Sequence, residues 1–171
     1  MTSINSTTIN QMKLDKTFSK VDFEHPDFLL GQIGEATTLT KLIEIFPNTK
    51  KDADFWSVFD YYVEDENGEL EMLIEVKTRR CSKTAYKSLA FGKNKFDYAK
   101  KEKKKNPKLR IIVCWLLNDD NLYFWEYNGK NSKDFYVGEI GNTKQNQKPS
   151  PSIMVYTDKI KLLNHHNILS A

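Results

Sequence analysis

The chain has 171 residues, of which 39% are apolar, 29% charged and 12% aromatic. That length suits one domain with a proper core and is short for two, and the aromatic content excludes a disordered chain. The formal net charge is only +3, which excludes a uniformly polybasic protein and directs attention to where the charge lies.

Residues 1–20 are rich in Ser, Thr, Asn and Lys and show no sustained period. They read as a flexible arm ahead of a single domain over residues 21–171. Phe28 to Phe46 reads as the first helix. Leu29, Ile33, Ala36, Thr40 and Ile43 form one stripe at helical spacing, and Phe28, Glu35, Leu39, Leu42 and Phe46 form the line beside it. Glu35 is the one acid on that second line. An ionisable group among apolar neighbours is costly without a partner, unless it lies at the rim and reaches water. Pro47 ends the helix, and a short strand fits between Asn48 and Asp54.

Phe55 to Val63 reads as a strand, followed by a turn through Asn67-Gly68 and a second strand from Leu70 to Lys77. Antiparallel pairing would bring Asp60, near the start of one strand, to Glu75, near the end of the other. Leu70, Met72, Ile74 and Val76 point one way; Glu71, Leu73, Glu75 and Lys77 point the other. Two carboxylates and an ammonium then share one edge of a sheet. A loop runs from Thr78 through Leu89, and a second helix from Gly92 to Lys105 turns Phe96 and Ala99 inward. Leu109 to Leu117 is apolar almost throughout, as in a strand covered on both faces. Leu122 to Tyr127 returns as an aromatic strand, Asn128-Gly129 signals another hairpin, and Phe135–Val137 and Ile153–Tyr156 are short strands around a loop from Gly138 to Ser152. The set Trp115, Tyr123, Phe124 and Trp125 reads as sheet packing ahead of a base-stacking platform. The whole is an α/β or α+β arrangement on one sheet.

Cys81 and Cys114 form no Cys-x-x-Cys pair, and His25, His165 and His166 have no ligand spacing. Zinc and disulfide frameworks are therefore not expected. No apolar run reaches membrane-spanning length and the N-terminus lacks a signal-peptide core. The expected setting is intracellular, cytoplasmic or nuclear, with no membrane partner.

Phosphodiester cleavage needs a deprotonated water and stabilisation of charge on the phosphoryl group and the leaving oxygen. Magnesium or manganese supplies much of this when held by one or two carboxylates. Asp60 and Glu75 would be those ligands, with the Val76 carbonyl as a further oxygen. Lys77 would orient or deprotonate the water, and Glu35 would reach over from the helix toward a metal-bound water or a second ion. Glu-x-Lys alone is weak: about one or two copies arise by chance in such a composition, and Glu102-Lys103-Lys104 is a second. Context separates them. Only the first copy ends an apolar strand and follows an acid through a hairpin.

Gly34-Glu35, Phe59-Asp60 and Ile74-Glu75-Val76-Lys77 together resemble the PD-(D/E)XK nucleases, over roughly Phe28 to Lys105. The start at Gly34-Glu35 is similar to Holliday-junction-resolvase-like and virus-encoded members. The resemblance implies a restriction-endonuclease-like fold, with helices flanking a central mixed sheet in the order αβββαβ and extra C-terminal strands. It implies a divalent-metal-dependent endonuclease, with DNA ahead of RNA as substrate, and Asp60, Glu75, Lys77 and Glu35 as the catalytic set. The family's proline before the aspartate is Phe59 here. Lys83, Lys87, Lys93 and Lys95 follow the catalytic strand and would line a path for backbone phosphates, although solvated lysines are the plain alternative. A homodimer is one assembly compatible with the chain. A catalytically inactive nucleic-acid-binding or assembly protein of the same fold is the alternative from another class, and a small-molecule or protein-binding α/β domain the third.

Overall fold

The computed structural model describes residues 26–51, 58–140 and 149–169. The expected arm over residues 1–20 and the first part of the expected strand, residues 55–57, lie outside these. The chain divides into two units, Met1–Gly34 and Glu35–Ala171, and the second carries both sheets and the candidate site.

The elements in chain order are α1 (Pro26–Ile45), β1 (Thr49–Lys51), β2 (Tyr61–Glu64), β3 (Leu70–Thr78), β4 (Ser88–Gly92), α2 (Lys93–Lys105), β5 (Arg110–Leu116), β6 (Leu122–Glu126), a 3-10 turn (Ser132–Asp134), β7 (Phe135–Ile140), β8 (Ser150–Tyr156), β9 (Lys161–Leu162) and α3 (His165–Leu169). A six-stranded sheet has the order β1-β2-β3-β5-β6-β9, and a three-stranded sheet the order β4-β8-β7. The large sheet is mixed. β3 and β5 are parallel, and the other neighbours are antiparallel. The chain is thus α/β, and the parallel pair requires a long crossover, which here is β4 and α2.

The β2–β3 turn follows from its residues. Gly68 takes φ +79, which glycine tolerates. Asp65 Oδ1 accepts the N–H groups of Asn67 at 2.8 Å and Glu69 at 2.9 Å. Beyond the turn the strand period sorts side chains to two faces. Met72, Ile74 and Val76 join a core with Leu42, Tyr61, Ile112, Cys114, Phe124 and Ile168. Leu73 joins the other core, with Phe91, Phe96, Ala99, Val113, Trp115, Trp125 and Val155. β5 divides the same way, which is why its sequence is apolar at every position after Arg110.

Several expectations need correction. Val58–Asp60 are bends, and the strand begins only at Tyr61. Ser88–Gly92, read as loop and helix start, is the strand β4. It has no β-branched residue and gains its conformation from pairing with β8, residues distant in sequence. On α1 the line containing Leu39 and Leu42 faces the core, whereas Ala36, Thr40 and Ile43 are exposed. The Asn128-Gly129 turn makes no hairpin: β6 belongs to the large sheet and β7 to the small one, so the turn passes the chain between sheets. Of the loop expected over Gly138–Ser152, residues 138–140 belong to β7 and 150–152 to β8, and residues 141–148 lie outside the described residues.

Candidate active site

The β2–β3 register pairs Tyr61 with Ile74, so Asp60, one residue earlier, stands beside Glu75 and Val76. Its Oδ2 accepts the Val76 N–H at 2.7 Å. The side chain thereby continues the ladder one step past the end of β2 and is fixed by it. The structure ties Val76 to the site through this N–H.

Glu75 is fully buried on the α2 side of the sheet. A carboxylate there is tolerated only with charged partners. It has two. Lys95, in the first turn of α2, donates to Oε2 at 2.5 Å, and Lys77 Nζ lies 2.5 Å from Oε1. The Lys77 ammonium thus faces Oε1 and the Lys95 ammonium faces Oε2, one on each carboxylate oxygen. Lys95 Nζ also lies 3.6 Å from Asp60 Oδ1, which makes one ammonium common to both acids. Burial pushes the Glu75 carboxyl up to about 7. Lys77 and Lys95 oppose the shift, and the Asp60 charge adds to it. Asp60, Lys77 and Lys95 keep 21–27% side-chain exposure, so the cluster is buried at Glu75 and open on its other side.

Glu35 stands apart. Its carboxylate pairs with Lys51 at 2.7 Å and is 41% exposed. No contact joins it to Asp60, Glu75 or Lys77 among the described residues. Its backbone carbonyl accepts the Tyr61 hydroxyl at 2.9 Å, which anchors this stretch of α1 to β2. Burial first, then the charges of Glu35 and Asp60, raise the Tyr61 hydroxyl well above its ordinary value.

The four lysines expected along a phosphate path do not act alike. Lys93 pairs with Asp97 at 2.5 Å, Lys83 Nζ sits 5.5 Å from the Tyr123 ring centre, and Lys87 is exposed before β4. Lys95 alone of the four meets the carboxylates. Phe96 and Ala99 turn inward, and that orientation sets the neighbouring Lys95 toward β3. The sequence held this signal, but only together with the β3 register.

Among the described residues no group of three His, Cys, Asp or Glu is arranged to hold a metal. The two carboxylates nonetheless match what magnesium requires, since it keeps several waters and often uses one or two protein carboxylates. Glu75, whose buried carboxylate stands beside Asp60 with the partly exposed Lys77 on its Oε1, is the acid that would hold such an ion together with Asp60. No family model, no curated protein and no solved structure matches the chain.

Proposed function

We propose that this chain is a divalent-metal-dependent nuclease acting on DNA, built on a restriction-endonuclease-like arrangement of its α/β sheet. The observation that carries the reading is the meeting of Asp60, Glu75 and Lys77 at one end of the β2–β3 pair, around a fully buried carboxylate. In this reading Asp60 and Glu75 hold magnesium or manganese, which supplies charge neutralisation at the phosphate and an acidified water. Lys77, partly exposed and adjacent to Glu75, positions the water and stabilises negative charge on the phosphoryl oxygens. Asp60 is held by the Val76 N–H and so needs little reorganisation. Glu35, paired with Lys51, lies outside this contact set.

One observation favours the non-catalytic nucleic-acid-binding alternative. Two acids and two ammoniums neutralise one another here, as structural ion-pair networks do.

The test is cleavage of single-stranded, duplex and branched DNA with magnesium or manganese. The expected outcome is metal-dependent hydrolysis that Asp60→Ala and Lys77→Ala each abolish while thermal unfolding stays cooperative. DNA binding that those substitutions leave intact, with no cleavage under either metal, would transfer the assignment to the binding protein.

A further inference from the structure

Beside the acidic and basic cluster lies a recess of about 360 Å³, lined by Phe59, Tyr62, Leu70, Leu73, Tyr98 and Glu64 among others. We propose that it seats one unstacked base of a single-stranded nucleic acid whose backbone passes the cluster. This rests on the nuclease reading and deepens it, because it names the strand state of the substrate.

Position supports it first. Leu73 and Glu75 lie on the same side of β3 and are two residues apart, roughly 7 Å, a separation like that between a nucleotide's phosphate and its base. Tyr98 follows Lys95 by three residues on α2, so the two share a side of the helix. Asp60 sits in the chain between Phe59 and Tyr61, both of which line the recess. A phosphate at the cluster and a base in the recess can therefore belong to one nucleotide.

The lining chemistry supports it next. The Phe59 and Tyr98 rings are 6.1 Å apart and tilted at 47°, which leaves the 39%-exposed Tyr98 with ring surface to offer. Aromatic side chains take bases of any kind by stacking, and the tyrosine hydroxyls add polar contacts at the edge. Glu64 would repel a polyanion, but Lys50 holds it at 2.5 Å. From Lys77 to Lys108 the only acids are Asp97 and Glu102, against many lysines and arginines, so the crossover that flanks the recess complements a phosphate backbone. A base inside a duplex has its faces covered by its neighbours, so only a single-stranded or extruded base enters such a recess.

The experiment is equilibrium binding of a labelled oligothymidylate and of a duplex of equal length, with calcium in place of magnesium so that binding alone is read. Tyr98→Ala and Tyr62→Ala should each weaken single-strand binding roughly tenfold, within the range for losing a stacking partner, and change duplex binding less than twofold. Tyr98→Phe should bind as the parent does. Photo-crosslinking of a 5-iododeoxyuridine strand to the unaltered protein should map to Tyr62 or Tyr98, which covers any variant that fails to fold. Single-strand affinity unchanged in both alanine variants, an equal loss on duplex, or crosslinks confined to other segments would each overturn the proposal. Cleavage without these effects removes the base seat and keeps the nuclease. Base seating without cleavage under any metal does the reverse.

Discussion

Lys95 and Glu75 meet at 2.5 Å across twenty residues of sequence, and the meeting runs against local preference. A cation in the first turn of a helix opposes the helix dipole, and α2 has no acid in that turn to offset it. The buried carboxylate on β3 supplies the compensation. α2 is thus fastened to the large sheet by charge as well as by Phe96 and Ala99.

Lys95→Met should accordingly destabilise the protein by about 2 kcal/mol at pH 8. That is below the usual cost of stripping one partner from a buried pair, because Lys77 remains. At pH 5, where Glu75 is protonated, the loss should shrink. Urea unfolding at the two pH values reads both numbers; equal losses would mean that the lysine does not act through the Glu75 charge.

Glu75 also sets a pH dependence of stability. Its carboxyl is raised from 4.5 to about 7 by burial. Between those values the folded chain binds more protons than the unfolded one, so the contribution is present below about pH 4.5 and is lost as pH rises through 7. Glu75→Gln removes the titration. Its stability relative to the parent should improve by about 3 kcal/mol between pH 4.5 and 7.5, read from paired denaturation curves in EDTA. A constant difference across that range would mean that Glu75 does not titrate there.

Metal binding should follow the same group with the opposite slope. A carboxylate ligand must lose its proton first, so manganese affinity measured by calorimetry should rise with pH up to about 7 and level off above it. Asp60→Asn should weaken binding at every pH. Affinity indifferent to pH between 5.5 and 7 would separate Glu75 from the metal.

A further test addresses the scaffold. Arg110 forms a two-pronged pair with Glu126, at 3.0 and 2.6 Å, and also donates to the Ile168 carbonyl at 3.3 Å. It joins β5, β6 and α3 on the side away from the cluster's lysines. Arg110→Ala should cost about 2 kcal/mol of stability and leave nucleic-acid binding unchanged, as read by unfolding and by titration with DNA.

What was legible in the sequence followed from period and turn chemistry. Alternation along Leu70–Lys77 put Glu75 with Leu73, and Asn67-Gly68 placed the turn that brings Asp60 back to it. The unbroken apolar run of β5 signalled burial on both faces. What was not legible depended on pairing at a distance. β4 is a strand because β8 adds to it, and its own residues do not signal one. On α1 two neighbouring lines of side chains competed, and the sheet beneath, through Tyr61, selected the line that includes Leu42. Lys95 was read as one of a row of lysines because its partner lies on another element.

The small sheet has a consequence for the ends of the chain. β4 leads directly into α2, from Gly92 to Lys93, and β4 is held by β8 through pairs such as Ser88 with Tyr156. No residue of the cluster lies beyond Lys95, yet the placement of Lys95 depends on a strand some sixty residues further on. A nascent chain released up to Ile140 would carry every cluster residue without the β8 pairing that supports α2. Assembly of the cluster should therefore wait for β8, and refolding should show Lys95 docking only in the final, slow, long-range closure step.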